Sequence, residues 1–200
     1  MKYCFLVVCI MFVSSVALSQ EVQTTAEPVK KEKKEKKKKK EKVSLDLTNA
    51  VIIGQMDKPQ DRYSIEITLT EMLKTRQMAT IPSLNIMKIG GEPTVLASDS
   101  VMQLLKSKGI DTYVLVSVRG YDRRFKVAQN QDSLEMALNQ GSLFELYRED
   151  IVSVSFEFKF YRNGEFVFGD MVKCGGVSDR DQVMKKFRNK VEKRLDKKWR

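Results

Sequence analysis

The chain contains no histidine. With that residue go the Ser-His-Asp triad, the Cys-His pair, the imidazole general base and the commonest metal ligand. Cysteine is scarce too, with three residues, of which Cys4 and Cys9 fall in the first ten positions. If that segment is removed, Cys174 stands alone, and no internal disulfide is possible. A lone thiol of this kind reads as a small buried hydrophobe, with a reactive or intermolecular thiol as the alternative. Phosphate-cradling loops are missing as well. Gly90-Gly91 and Gly175-Gly176 have neither the GxxxxGK[ST] nor the GxGxxG spacing. Lys173-Cys174-Gly175-Gly176 imitates a nucleophile on a glycine turn, but with no His its base would have to be a carboxylate or Lys, and catalysis there is not expected. Asp179 and Asp181 read as helix-start residues rather than cation ligands. No catalytic residue, metal or cofactor is expected, and the chain is read as a non-enzyme.

One apolar run stands out. Met1-Lys2 is followed by a mostly apolar stretch over 3–16 and then by Ala17-Leu18-Ser19. A short positive start, an apolar core too short to span a bilayer and small residues at the end describe a secretory signal peptide over 1–19. The alternative is an uncleaved anchor. Residues 20–42 carry almost nothing apolar. Within them, positions 30–42 hold ten Lys and three Glu, so +7 of the chain's formal net charge of +10 sits in that tract. Such a stretch cannot bury enough surface to offset its ordering entropy, so it reads as a disordered Lys/Glu-rich spacer. The alternative is an electrostatic attachment to anionic lipid or another polyanion. Because the basicity is concentrated there, leaving +4 on residues 43–200, specific nucleic-acid binding is not expected.

Residues 43–200 have the length of one domain. Ala50–Gly54 reads as a buried strand. Over 61–76 the pattern is ambiguous. Tyr63, Ile65, Ile67 and Leu69 alternate as in a strand, while Ile65, Leu69, Met72 and Leu73 form a helical stripe, and the length favours helix with Asp61 as its cap. Residues 79–88 look extended, with Pro82 suited to an edge. Ser98 or Asp99 opens a helix with Val101, Met102, Leu104 and Leu105 on its apolar face, ended by Gly109. Tyr113–Val118, apolar on both faces, predicts a central strand. A long connection over 120–150 includes a short helix over 132–139. Val152, Val154, Phe156, Phe158 and Phe160 then alternate with polar residues, Asn163-Gly164 makes a tight turn, and Phe166 and Phe168 return. This predicts a hairpin with one apolar and one wet face. Ser178 caps a last helix with the stripe Val183, Phe187, Val191, Leu195 and a Lys/Arg-rich remainder. That remainder is a solvated face or, alternatively, a docking surface for an acidic partner.

The order is therefore β-α-β-α-β-(α)-β-β-α, an α/β fold with a mixed sheet. Its core is parallel, with an antiparallel C-terminal hairpin and a final helix packed on the sheet. The stretches VIIGQMDKPQDRYSIEITLTEML and SKGIDTYVLVSVRG, placed after a signal and a charged spacer, resemble small α/β domains of Gram-negative envelope factors. These are the penicillin-binding-protein activator lipoproteins, the N-terminal domain of the Tol–Pal translocation protein and the curli secretion lipoprotein. The likeness spans roughly residues 48–175, and the chain departs from the two lipoprotein families in lacking a lipidated Cys. What the resemblance implies is a non-enzymatic adaptor that binds another envelope protein. The location expected is exported: periplasmic or outer-membrane associated in a Gram-negative cell, otherwise secreted.

The one constellation that points to a ligand is Arg119, Tyr121, Arg123, Arg124 and Lys126, directly after the central strand. Ligands of open α/β sheets bind beyond the carboxyl ends of strands, and Arg forks beside a Tyr suit a carboxylate, phosphate or acidic peptide. The alternative is an exposed loop with ordinary charges. Two functions follow: an interaction module for another envelope protein, or a polyanion-binding surface protein held by residues 30–42.

Overall fold

The computed structural model describes residues 45–87, 91–127, 131–141 and 144–199. The expected signal peptide and spacer lie outside them. Five strands form one sheet: β1 (Asn49–Gln55), β2 (Ala79–Pro82), β3 (Thr112–Gly120), β4 (Ser153–Arg162) and β5 (Glu165–Gly175). Their spatial order is β2-β1-β3-β4-β5. β1 pairs in parallel with both β2 and β3. β3 with β4, and β4 with β5, are antiparallel. The helices are α1 (Pro59–Lys74), α2 (Asp99–Ser107), α3 (Leu134–Asn139) and α4 (Arg180–Arg194), the last continuing as a π-helical turn over Leu195–Trp199. The architecture is the mixed α/β sheet that the pattern predicts, with Pro82 ending the short edge strand β2.

Two cores flank the sheet. On one face the α1 stripe Ile65, Leu69, Met72 and Leu73 and the α4 stripe Val183, Phe187, Val191 and Leu195 cover Ile52, Val114, Val116, Phe156 and Phe158. On the other, Leu105 of α2 and Leu134, Ala137 and Leu138 of α3 cover Val51, Ile53, Tyr113, Leu115 and Tyr161. β1 and β3 therefore bury both faces, which is why they read as unbroken apolar runs. In α1 the helical stripe prevails over the alternation, and Tyr63 is left 59% exposed.

Four local expectations are corrected. Asp61 does not cap α1. The helix starts after Lys58 with Pro59 in its first turn, and the buried Asp61 pairs with Arg180 Nε at 2.9 Å, joining α1 to α4. The cap of α4 is Asp179, whose carboxylate accepts the Gln182 N–H at 2.7 Å. Ser178 instead accepts from the Gln182 side chain. On α2 only Leu105 is buried, and Leu104 is exposed, because so short a helix offers the sheet little more than one turn. Finally, the hairpin has no wet face along β4. Ser153, Ser155, Glu157 and Lys159 are all buried, whereas Val152 lies before the strand and is exposed. The polar side of β4 is covered by the segment that follows β3.

Trp199 closes the first core, one four-residue step beyond Leu195 in the buried α4 stripe. Its ring centroid lies 4.7 Å from that of Phe158 and 5.0 Å from that of Phe160, and its indole N–H donates to Asp170 Oδ2 at 3.2 Å. Its carbonyl accepts from Leu47 N–H at 2.9 Å, so the last turn also holds the start of the domain. Trp199→Ala removes a fully buried aromatic and its hydrogen bond, and costs about 3–5 kcal/mol. The expected result is a large drop in the urea midpoint, while an unchanged midpoint refutes the latch.

Candidate functional site: a basic groove along the edge strand

The sheet leaves a crevice beyond the carboxyl ends of β1 and β2, on the other side of β1 from the β1/β3 point at which the strand order reverses. Here the protein's own polar groups occupy it. The fully buried Glu66 accepts the Gly54 N–H at 2.9 Å, the Ser83 hydroxyl at 2.6 Å and the Leu84 N–H at 3.1 Å, and pairs with Arg62 Nε at 2.9 Å. Arg62 donates in addition to Ser83. A neighbouring cleft of about 450 Å³ between Met56, Tyr63 and Leu84 has Arg62 in its wall, but that guanidinium is already committed. The network locks strand ends together rather than presenting free donors.

The segment after β3 behaves differently. The pairing of β3 with β4 shifts register between Val118 and Gly120, and Gly120 has φ +148°, a conformation that a side chain rarely adopts. The chain turns there and lies as a strap, residues 121–127, over the polar face of β4 and β5. Ser153 and Ser155 donate to the carbonyls of Tyr121 and Asp122, both at 2.7 Å. Close approach requires bare backbone on the sheet. A Cβ at Gly169 would stand 2.7 Å from Val127 Cγ1, and one at Gly175 would stand 3.2 Å from the Arg123 guanidinium. The strap's carbonyls thus satisfy the hydroxyls that sequence alternation assigns to solvent.

The strap distributes the five residues singled out above. Tyr121 turns inward: its hydroxyl donates to the Glu145 carbonyl at 3.0 Å, its ring meets Phe144 edge-on at 5.5 Å, and the Arg148 guanidinium lies 5.2 Å from the ring centroid. Burial pushes its phenol pKa up. Arg124 folds back on Asp122, with Nη2 2.7 Å from Oδ2, and that hydrogen bond holds the Asp122 carboxyl below the usual carboxylate range. Arg119 and Lys126 are exposed. Arg123 reaches a concave surface. The structure does not bring the five together as one ligand cluster.

That surface is a groove of about 350 Å³ along the outer edge of β5, lined by Arg123, Met171, Val172, Lys173, Lys190, Lys193, Arg194 and Lys197. Lys173 comes from β5 and donates to the Arg123 carbonyl. Lys190, Lys193 and Arg194 come from α4, and Lys197 from its π-helical extension. Arg194 is neutralised by the buried Asp170, at 3.4 Å. Among the described residues no carboxylate lies within ion-pair distance of Arg123, Lys173, Lys190, Lys193 or Lys197. Five cations without counter-charges around one groove make a field that concentrates anions. The signal for it is in the sequence. Lys186, Lys190, Lys193 and Lys197 recur at helical spacing beside the buried stripe, but which strand edge they border is decided only by packing.

Cys174 sits under this groove, fully buried. Burial pushes its thiol up to about 11, against the weaker opposing pull of Lys190 and Lys186. It is a core residue. Among the described residues no three Cys, Asp or Glu side chains are grouped so as to hold a metal ion.

Two outcomes are expected. In a Cys4→Ser, Cys9→Ser chain, Cys174 stays unmodified by a disulfide reagent at pH 8, because the raised pKa keeps the thiol protonated there. It reacts fully in urea, and in the folded protein its rate climbs only as the pH approaches 11. Rapid native labelling at pH 8 overturns the assignment. Gly169→Ala pushes Val127 off the sheet, costs about 1–3 kcal/mol and speeds tryptic cleavage after Arg123, Arg124 and Lys126 several-fold. An unchanged cleavage pattern shows that the strap does not depend on that contact.

No known family matches the chain, and no curated protein sequence matches it. Among solved structures, two crystal forms of the PelC dodecamer from Paraburkholderia phytofirmans are similar. One has 13% identity over 74% of this chain and 85% of that chain, with a TM-score of 0.41. The other has 12% identity over 79% of this chain and 92% of that chain, also with a TM-score of 0.41. Lipoprotein GNA1162 from Neisseria meningitidis is 10% identical over 74% of this chain and 98% of that chain, with a TM-score of 0.36. These values describe a distant likeness.

Proposed function

We propose that the chain is an exported, non-enzymatic interaction module of the cell envelope, whose α/β domain docks an acidic partner protein in the groove beside β5. The carrying observation is the set of five cations there that lack carboxylate partners among the described residues. Arg, as planar fork, and Lys, as point charge, both suit carboxylates, and a groove gives them a direction that a flat charged face lacks. Binding rather than turnover is the reading because histidine is absent and the one thiol of the domain is sealed in the core. The Lys-rich tract over 30–42 acts as a spacer in this scheme, and its charge speeds encounter without defining the partner.

The test is crosslinking in cells followed by capture through a C-terminal tag and quantitative mass spectrometry. The full chain is compared with a chain lacking residues 30–42 and with Lys190→Glu/Lys193→Glu, each first checked for an unchanged melting temperature. One dominant partner is expected in the first two samples, reduced at least tenfold in the third. Diffuse enrichment that disappears with the tract overturns the proposal and identifies a protein held to a polyanionic surface by its lysines.

A further inference from the structure

We infer that the occupant of the groove is an extended acidic segment that adds a strand to the outer edge of β5, pairing at Lys173. This rests on the groove being the docking site and specifies how it recognises its partner.

The backbone gives the first argument. Gly176 N–H donates to the Val152 carbonyl at 2.7 Å, and Cys174 stands opposite Val154, Val172 opposite Phe156. By the alternation of an antiparallel ladder, even-numbered residues of this part of β5 bond to β4 and odd-numbered ones turn their N–H and C=O outward. The outward groups of Met171 are taken: its carbonyl accepts from Arg194 Nη2 at 3.3 Å and its N–H donates to Asp170 Oδ1 at 2.9 Å. The Gly175 carbonyl accepts from Lys186 Nζ at 2.8 Å. Between them, the outward N–H and C=O of Lys173 are met by no loop, turn or side-chain group among the described residues. A donor and an acceptor on one residue of an edge strand are what a paired strand requires.

The charge pattern gives the second. α4 runs antiparallel to β5, with Lys186 beside Gly175 and Arg194 beside Met171. From Lys186 to Lys197 its cationic stripe rises about 16 Å, the length of about five residues of extended chain. A strand paired with β5 points successive side chains to opposite faces of the sheet. One set meets Lys190, Lys193 and Lys197 on the helix side. The other meets Arg123 and the Lys173 side chain on the strap side. Acidic residues on the helix-facing positions therefore find a row of matching cations, and the match fixes register as well as sign.

The experiment uses the full chain at physiological ionic strength and a fluorescent ten-residue peptide of alternating Glu and Val, with an otherwise identical peptide N-methylated at every residue, so that neither strand edge keeps its N–H groups. N-methylation leaves the charge intact and removes strand-pairing N–H groups, so the Lys-rich tract treats both peptides alike. The expected result is saturable binding of the first peptide, weakened at least tenfold by N-methylation and at least tenfold by Lys190→Glu/Lys193→Glu, with an unchanged melting temperature. Equal binding of the two peptides, lost on charge reversal, overturns strand addition and leaves the groove as an acidic docking site. Binding indifferent to charge reversal overturns both. Binding of phosphatidylglycerol vesicles through the groove, with no binding of either peptide, overturns the inference in favour of a lipid surface.

Discussion

Strand β4 has to be dry on both sides, and the arrangement around it follows from that constraint. Its even-numbered side presents Phe156, Phe158 and Phe160, which meet Phe187 and Trp199 at centroid distances between 4.7 and 5.9 Å. An aromatic layer of this size supplies much of the burial available to a domain without a disulfide. It is complete only when the chain's last turn reaches back to the sheet. The odd-numbered side carries Ser153, Ser155, Glu157 and Lys159, which cannot be buried unless they are satisfied. The strap supplies carbonyls for the two serines, and Asp132, after the strap, stands 3.5 Å from Lys159.

The groove is a by-product of the same two covers. Aromatic packing fixes α4 along β5 and so fixes where its lysines project. Polar satisfaction of β4 fixes the strap and so places Arg123 over Gly175. The two walls belong to different layers of the molecule, one on each side of the sheet, and the edge of β5 is the seam between them. Core and candidate site are therefore coupled: a change that loosens the strap moves Arg123, and a change that loosens the last turn moves Lys197.

The sequence declares the elements whose environment is uniform. β1 and β3 carry apolar centres, over 50–53 and 113–116, because both faces there meet apolar helices. The α4 stripe follows a single period because one face is buried, and Asn163-Gly164 marks its turn directly. It misleads where polar residues are buried by other polar groups. Alternation along β4 suggests a wet face, yet the covering strap is itself polar, so hydropathy carries no trace of the contact. Asp61 resembles a cap in the local pattern and serves instead as a tertiary partner for Arg180, more than a hundred positions away. The cluster from Arg119 to Lys126 is visible as composition. Its division into an inward Tyr121, a locally paired Arg124 and a groove-lining Arg123 depends on the bulge at Gly120 and on glycines in another strand. Lys173, Lys190, Lys193 and Lys197 are each visible as charges. Only the antiparallel packing of α4 on β5 turns them into a row.

An open edge strand invites pairing with any exposed strand, including another copy of itself. Natural edges are often guarded by lysine for that reason. On β5 the guard is asymmetric. Lys173 stands on the edge, with Arg123 on one face of the sheet and Lys190, Lys193 and Lys197 on the other, none of these five with a carboxylate among the described residues in ion-pair range. Two copies approaching edge to edge would bring these rows together and repel, at a cost that falls with salt. The same arrangement rewards a strand of opposite sign. A neutral edge would be indiscriminate and a fully paired one inert. An edge with one open backbone residue between cations that lack carboxylate partners among the described residues repels its own kind, and the proposed acidic segment is selected by the same charges.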